Sequence, residues 1–370
     1  MTPSAATPAT RLATVMRHAP PRHALDSGPS APRQACSRVP VLAWLLLLLC
    51  TLQAHAADPL PSWQDGAAKQ SIIQFVSTVT TPGTPGFVPT AARIAVFDND
   101  GTLWSEQPAY FQVLFAFDEI QRLAPQHPEW NTTEPFKAVL EHDHGALAAS
   151  GMDGLMKIVA ASHTGLTTEA FSANVKAWLA HARHPRSGQP YTAMVYQPML
   201  ELLAYLRHQG FTTWIVSGGD TAFMRTFAEQ VYGVPPQQVI GSQFTTAFQP
   251  GPPPTLLRTA TLAHNDDGPG KPESIDAIIG QRPILAFGNS DGDLAMLQWT
   301  AAGPGLRWLG LVHHTDSKRE WAYDRQSSVG RLDKALDEAT LRHWTVVDMA
   351  ADWRQVYPFE RTAVTEQHQQ

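Results

Sequence analysis

"RIAVFDNDGTLWSE", residues 93–106, decides how this chain is read. An apolar run from Ile94 to Phe97 ends abruptly in two carboxylates, Asp98 and Asp100, with Asn99 between them and Gly101 and Thr102 after. A short unbroken apolar run bounded by turn residues describes a strand buried on both faces. Acids at its carboxyl end stand where open α/β sheets bind their ligands.

Working outward, the same grammar recurs. "AAKQSIIQFVSTV" predicts a helix before the strand, with a Pro/Gly loop, "TPGTPGFVPT", between them. Beyond it, Pro198 opens a helix whose Met199, Leu202, Leu203 and Leu206 share one face, and Gly210 closes it. "FTTWIV" predicts a strand, "TAFMRTFAEQVYG" a helix, "RPILAF" a strand, "DLAMLQW" a helix and "RWLGLVHH" a strand. Such alternation predicts an α/β fold, a Rossmann-like, mostly parallel sheet covered on both faces. Residues 107–195 depart from it. Their apolar positions fall at helical spacings, which predicts a helical cap inserted between the two parts of the core, 57–106 and 196–370. Pro-rich "QPGPPPT", residues 249–255, reads as a surface loop and the tail after Phe359 as a polar end.

Each strand delivers chemistry at its carboxyl end. The first gives Asp98 and Asp100; the second gives Ser217, Gly218, Gly219 and Asp220; "PILAF" gives Gly288, Asn289, Ser290, Asp291 and Asp293. Lys271, in "GPGKPESIDAII", opens a helix with Pro272 expected at its first position. Acids, a hydroxyl, glycine amides and one lysine suit phosphoryl transfer. A carboxylate can attack phosphorus, a neighbouring acid can move the leaving group's proton, and a hard oxygen-liganded cation can offset the repulsion. "GPGKP" is no phosphate-binding loop of the kinase type, because Pro272 stands where Ser or Thr would hold the metal.

Taken in order, "DNDGT" at 98–102, "VSGG" at 216–219, Lys271 and "GNSDGD" at 288–293 resemble the motifs of the haloacid dehalogenase superfamily. The likeness is to its phosphoserine phosphatase-type branch with a helical cap. The resemblance implies that Asp98 is the nucleophile and a Mg²⁺ ligand, and that Asp100 is the general acid/base, giving its backbone carbonyl to the metal. It further implies that Thr102 steadies the loop, and that Ser217, Gly218 and Lys271 bind the phosphoryl group. Family dehalogenases lack the second acid, since halide leaves without a proton, so Asp100 favours a phosphate ester. At the family's metal-binding acid the chain has Asn289, which offers a carbonyl oxygen but no charge; Asp291 is the alternative ligand, and Asp293 matches the motif's second acid, a supporting residue or an additional metal ligand. Glu106 lies near where phosphoserine enzymes keep an acid for the substrate ammonium, and a solvated loop acid is its other reading. The implied activity is metal-dependent hydrolysis of a small organic phosphate monoester through an aspartyl phosphate. Phosphotransfer to an alcohol and a catalytically impaired binding protein are the alternatives.

Residues 1–56 read separately. Arg11, Arg17, Arg22, Arg33 and Arg38 face a single acid, Asp26, and precede the apolar "VPVLAWLLLLLCTL" and "AHA". That is the pattern of a secretory leader cut after Ala56, and the apolar run falls short of the roughly 20 residues a membrane span needs. The expected mature protein is periplasmic or secreted, with no stable membrane anchor. Both cysteines, Cys36 and Cys50, lie in the leader. Without those five arginines and one acid the chain keeps 22 basic against 32 acidic residues, a net charge of −10. Such a balance argues against nucleic-acid binding. "EHDH", residues 141–144, reads as a solvated cap face rather than a metal site, and His313 or His314 as a satisfied strand-end histidine that can also reach the rim of the site.

Overall fold

The computed structural model describes residues 58–360; the leader and the polar tail lie outside these described residues. Seven strands form one sheet in the order β4-β3-β2-β1-β5-β6-β7. They are β1 (Ile94–Phe97), β2 (Thr212–Asp220), β3 (Val239–Gln249), β4 (Thr255–His264), β5 (Leu285–Gly288), β6 (Trp308–His313) and β7 (Thr345–Asp348). All neighbours run parallel except β3 and β4, which pair as an antiparallel hairpin. This is the α/β class that the sequence predicts.

All four residues of β1 are buried because both faces are covered. Alternation along it assigns the faces. Ala95 and Phe97 join a core with Ile215, Leu285 and Phe287, whereas Ile94 and Val96 join a second core with Val216, Ala286 and Leu311. Between β1 and β2 the chain is helical, with helices Phe111–Leu123, His144–His163 and Thr168–His181. A third apolar cluster, including Ala116, Ile120, Trp130, Val139 and Ile158, lies within that segment. Among the described residues no helix is long and apolar enough to cross a membrane.

Register brings the motif residues level. Phe97 pairs with Ile215 on one side and Phe287 on the other, so the residues that follow leave the sheet together. Since β2 continues to one side of β1 and β5 to the other, β1 is the topological switch point, where a crevice opens.

Three regions differ from the sequence reading. The hairpin β3–β4 was not expected from its Thr- and Gln-rich text; it is polar because much of it is solvent-exposed, and "QPGPPPT" forms its turn and the start of β4. The segment 221–233 is two short helices, Thr221–Met224 and Ala228–Tyr232, rather than one. Strand β7 and helix Lys334–Arg342 complete the far edge.

Candidate active site

The loop leaving β1 turns tightly. The Asn99 carbonyl accepts hydrogen bonds from the amides of Thr102 and Leu103, and Gly101 sits at φ 75°, a conformation that favours glycine. A side chain at 101 would also collide with Asn289 and Glu106. Outward on this turn, Asp98 is buried and Asp100 half-buried, with the Asp100 carboxylate accepting from Trp104 Nε1 at 2.9 Å. From β6, His314 donates through Nε2 to the Gly101 carbonyl at 2.8 Å, so a strand-end histidine holds the loop. His313 instead pairs with Asp324 at 3.5 Å.

Opposite, the ladder between β2 and β3 passes from Ser217 beside Gly241 directly to Asp220 beside Ser242, so Gly218 and Gly219 bulge out. Buried Ser217 accepts from the Gly219 amide, and Gly218 is exposed on the crevice side of the bulge next to Asp267. Helix Gly270–Ser274 carries Lys271, so Pro272 falls within its first turn rather than at its start. The Lys271 ammonium is buried and donates to Asp98 at 2.6 Å, Asp293 at 2.6 Å and the Val216 carbonyl at 3.0 Å. Its pKa is raised, the two carboxylates outweighing the opposing cost of burial.

The fourth motif divides its residues between tasks. Both Asp293 oxygens are engaged: one takes Lys271, and the other takes the amides of Asn289 and Ser290 at 2.8 and 3.0 Å. It therefore supports the loop and Lys271, the supporting role of its two readings. Asp291 turns away from the crevice and accepts from the amides of Asp333 and Ala335 at 3.0 and 2.9 Å, capping helix Lys334–Arg342. The Asn289 side chain accepts from Thr102 Oγ1 at 3.1 Å and donates through Nδ2 to Glu106 Oε1 at 2.7 Å. Thr102 thus steadies the motif loop opposite its own.

Glu106 is 1% exposed, which overturns the solvated-loop reading. Besides Asn289, Tyr323 donates to its Oε1 at 2.7 Å, and the Tyr323 ring stacks on His314 at 4.4 Å. The sequence offered no signal for Tyr323, which reaches the site from a loop 217 residues away. His142 and His144 are exposed on the helical segment, as expected.

Burial pushes Asp98 well above the usual carboxylate range, with Asp293 adding and Lys271 opposing. Asp100 is raised by burial, and Glu106 well above its usual range by burial together with Asp100 and Asp98. Lys271 is the one cation hydrogen-bonded to this acid cluster among the described residues. Buried carboxyl groups beside an amide oxygen and backbone carbonyls are the donor set a hard divalent cation takes. The residues present fit Mg²⁺: the Asp98 carboxylate, the Asp100 carbonyl and Asn289 Oδ1 would hold it.

The haloacid dehalogenase-like hydrolase family model matches residues 95–298. No curated protein matches the sequence. Among solved structures, a functionally unknown protein from Anaerococcus prevotii is similar at 14% identity and TM-score 0.44, covering 76% of this chain and 91% of its own. A protein of unknown function from Bordetella pertussis has the same identity and TM-score, covering 70% of this chain and 98% of its own. A phosphoserine phosphohydrolase-like protein from Francisella tularensis has 15% identity and TM-score 0.38, covering 71% of this chain and 95% of its own.

Proposed function

This chain belongs to the haloacid dehalogenase-like hydrolase family, and from that premise we propose that it is a Mg²⁺-dependent phosphatase of a small organic phosphate monoester. One observation carries the reading: Asp98 is held at the end of β1 by Lys271 at 2.6 Å, with a second acid, Asp100, two residues on at the same opening.

In this mechanism an Asp98 carboxylate oxygen attacks phosphorus, and the ester P–O bond breaks. Asp100, whose pKa is raised by burial, gives its proton to the departing oxygen. The alcohol leaves, and the phosphoryl group remains on Asp98 as an acyl phosphate. Asp100, now a carboxylate, takes a proton from water; the water oxygen attacks phosphorus, and Asp98 is released with inorganic phosphate. Lys271, the Ser217 hydroxyl and the Gly218 amide hold the phosphoryl oxygens as charge builds on them. Bound Mg²⁺ supplies charge that offsets the repulsion between nucleophile and ester.

Tyr110 and Gln112, at the start of the first helix after the nucleophile loop, border the crevice. The Tyr110 hydroxyl accepts from the Gly330 amide at 3.1 Å, and Gln112 Oε1 accepts from the Asp220 amide at 2.8 Å. The helical segment that carries them therefore supplies the selecting surface. We further propose that the protein acts outside the cytoplasm after loss of the leader.

A panel of phosphate monoesters, assayed with Mg²⁺ for the wild type and Asp98→Asn, tests the reading. Release of phosphate by the wild type and loss of at least ~10³-fold in the variant are expected, the scale seen when a covalent nucleophile is removed. Equal turnover by both proteins would exclude Asp98 as nucleophile.

A further inference from the structure

We infer that Glu106 and Asn289 act as one unit that replaces the missing acid of the fourth motif: Glu106 sets the Asn289 amide and supplies the negative charge that position 289 lacks. This rests on the metal-dependent reading above.

An asparagine amide can present either its oxygen or its nitrogen to a cation, and only the oxygen is a ligand. Here the choice is made on both sides. Glu106 Oε1 accepts from Nδ2 at 2.7 Å, and the Thr102 hydroxyl donates to Oδ1 at 3.1 Å. The oxygen is thereby left with a lone pair free for a cation. Remove the acceptor, and the amide loses the partner that defines its orientation.

Charge follows the same division. Lys271 serves Asp98 and Asp293, whereas the partners of Glu106 Oε1 are a neutral amide and a neutral phenol. Glu106 Oε1 lies against Gly101, on the turn that carries Asp98 and Asp100, so a charge there is felt where a cation would sit. Space has been left for Glu106 on its own loop and on a distant one. A side chain at Gly101 or at Gly330, φ 65°, would collide with Glu106 Oε1. Tyr323 and His314 brace the arrangement, since Tyr323 stacks on the histidine that holds the Gly101 carbonyl.

The test is a double-mutant cycle read by Mn²⁺ binding, using calorimetry and the electron paramagnetic resonance signal of free Mn²⁺. Four proteins are compared: wild type, Glu106→Gln, Asn289→Asp and the double variant, each checked for folding in chelator by near-UV circular dichroism. Gln at 106 keeps the shape but removes the charge, so Mn²⁺ affinity is expected to fall by about 10–100-fold, as when a ligand's supporting partner is removed. Asn289→Asp alone sets two carboxylates against one another at hydrogen-bond distance and is expected to bind no better than wild type. The double variant, with the roles exchanged, is expected to return to within about threefold of wild type, because a pair acting as a unit is non-additive. Unchanged affinity in Glu106→Gln overturns the inference, as does a double variant no better than Glu106→Gln. If Glu106→Gln does not fold, Glu106→Asp takes its place; it retracts the oxygen from Asn289, and unchanged affinity there is equally fatal. Unchanged Mn²⁺ binding with a raised KM for an amino-bearing phosphate would assign Glu106 to a substrate ammonium instead. A wild type that binds no Mn²⁺ would fail the metal-dependent reading itself.

Discussion

The two ends of the Asp98–Glu106 loop bury their carboxylates equally and neutralise them differently. Asp98 faces the Lys271 ammonium at 2.6 Å, a cation fixed in the fold and shared with Asp293. Among the described residues Glu106 meets only the Asn289 amide and the Tyr323 hydroxyl, both at 2.7 Å. A permanent internal cation makes one end part of the folded scaffold. Neutral donors leave the other end able to take its counter-charge from outside and give it up again.

The sharpest way to break this division is at the proton-transferring acid between the ends. Asp100→Asn is expected to lower kcat on alkyl phosphates by about 10²–10⁴-fold, the usual worth of a positioned acid/base. With an activated aryl phosphate, whose leaving group needs no proton, covalent phosphate should accumulate on Asp98 and be seen by mass spectrometry after acid quench. Full activity with no trapped phosphate would remove Asp100 from that role.

The second expected effect is on stability and compares the ends directly. Lys271→Met leaves Asp98 and Asp293 buried without their cation, at a cost of about 3–5 kcal/mol in urea unfolding at pH 7. Glu106→Gln keeps its neutral partners and is expected to cost no more than about 1 kcal/mol in the same experiment. Equal losses would show that the two ends are built alike.

A third contrast lies where the helical segment meets the sheet. His163 is fully buried, accepts or shares a proton with Gln112 and Ser162, and has its pKa lowered to about 3 by burial and by Arg258. Arg258, on β4, donates to the His163 carbonyl at 2.7 Å, pairs with Asp220 and lies over the Phe171 ring at 4.2 Å. The histidine's folded pKa lies below its ordinary 6.5, so the unfolded chain takes up a proton that the folded one refuses. The stability it contributes is whole above pH 6.5 and is lost as the pH falls toward 3, with a slope of up to about 1.4 kcal/mol per pH unit. Chemical unfolding at stepped pH should show this slope, and His163→Gln should flatten it. An unchanged slope in the variant would place the acid sensitivity elsewhere.

The smallest effect concerns Asp291. Losing its cap on helix Lys334–Arg342 through Asp291→Ala should cost about 1 kcal/mol and leave Mn²⁺ affinity unaltered. A loss of Mn²⁺ affinity would return Asp291 to the list of ligands.

Much of the core was legible from text because its signals are local. An apolar run ending in acids, glycines after "FTTWIV" and "GNSDGD" after "PILAF" each declare a strand and its product within about a dozen residues. The hairpin β3–β4 was not legible, because its solvated strands carry no buried stripe to set a period. Likewise, Asp291 and Asp293 stand two residues apart in one motif and read alike, but loop direction sends one to Lys271 and the other to a helix end.

By itself, the sequence determined the parallel sheet, the chemistry at its strand ends and the motif order, since burial and strand-end placement are written in neighbouring residues. Only the tertiary structure decided what surrounds Asn289. Glu106, Tyr323, His314 and Gly330 converge there from separate loops, and contacts between residues so far apart in the chain leave no periodic trace in it.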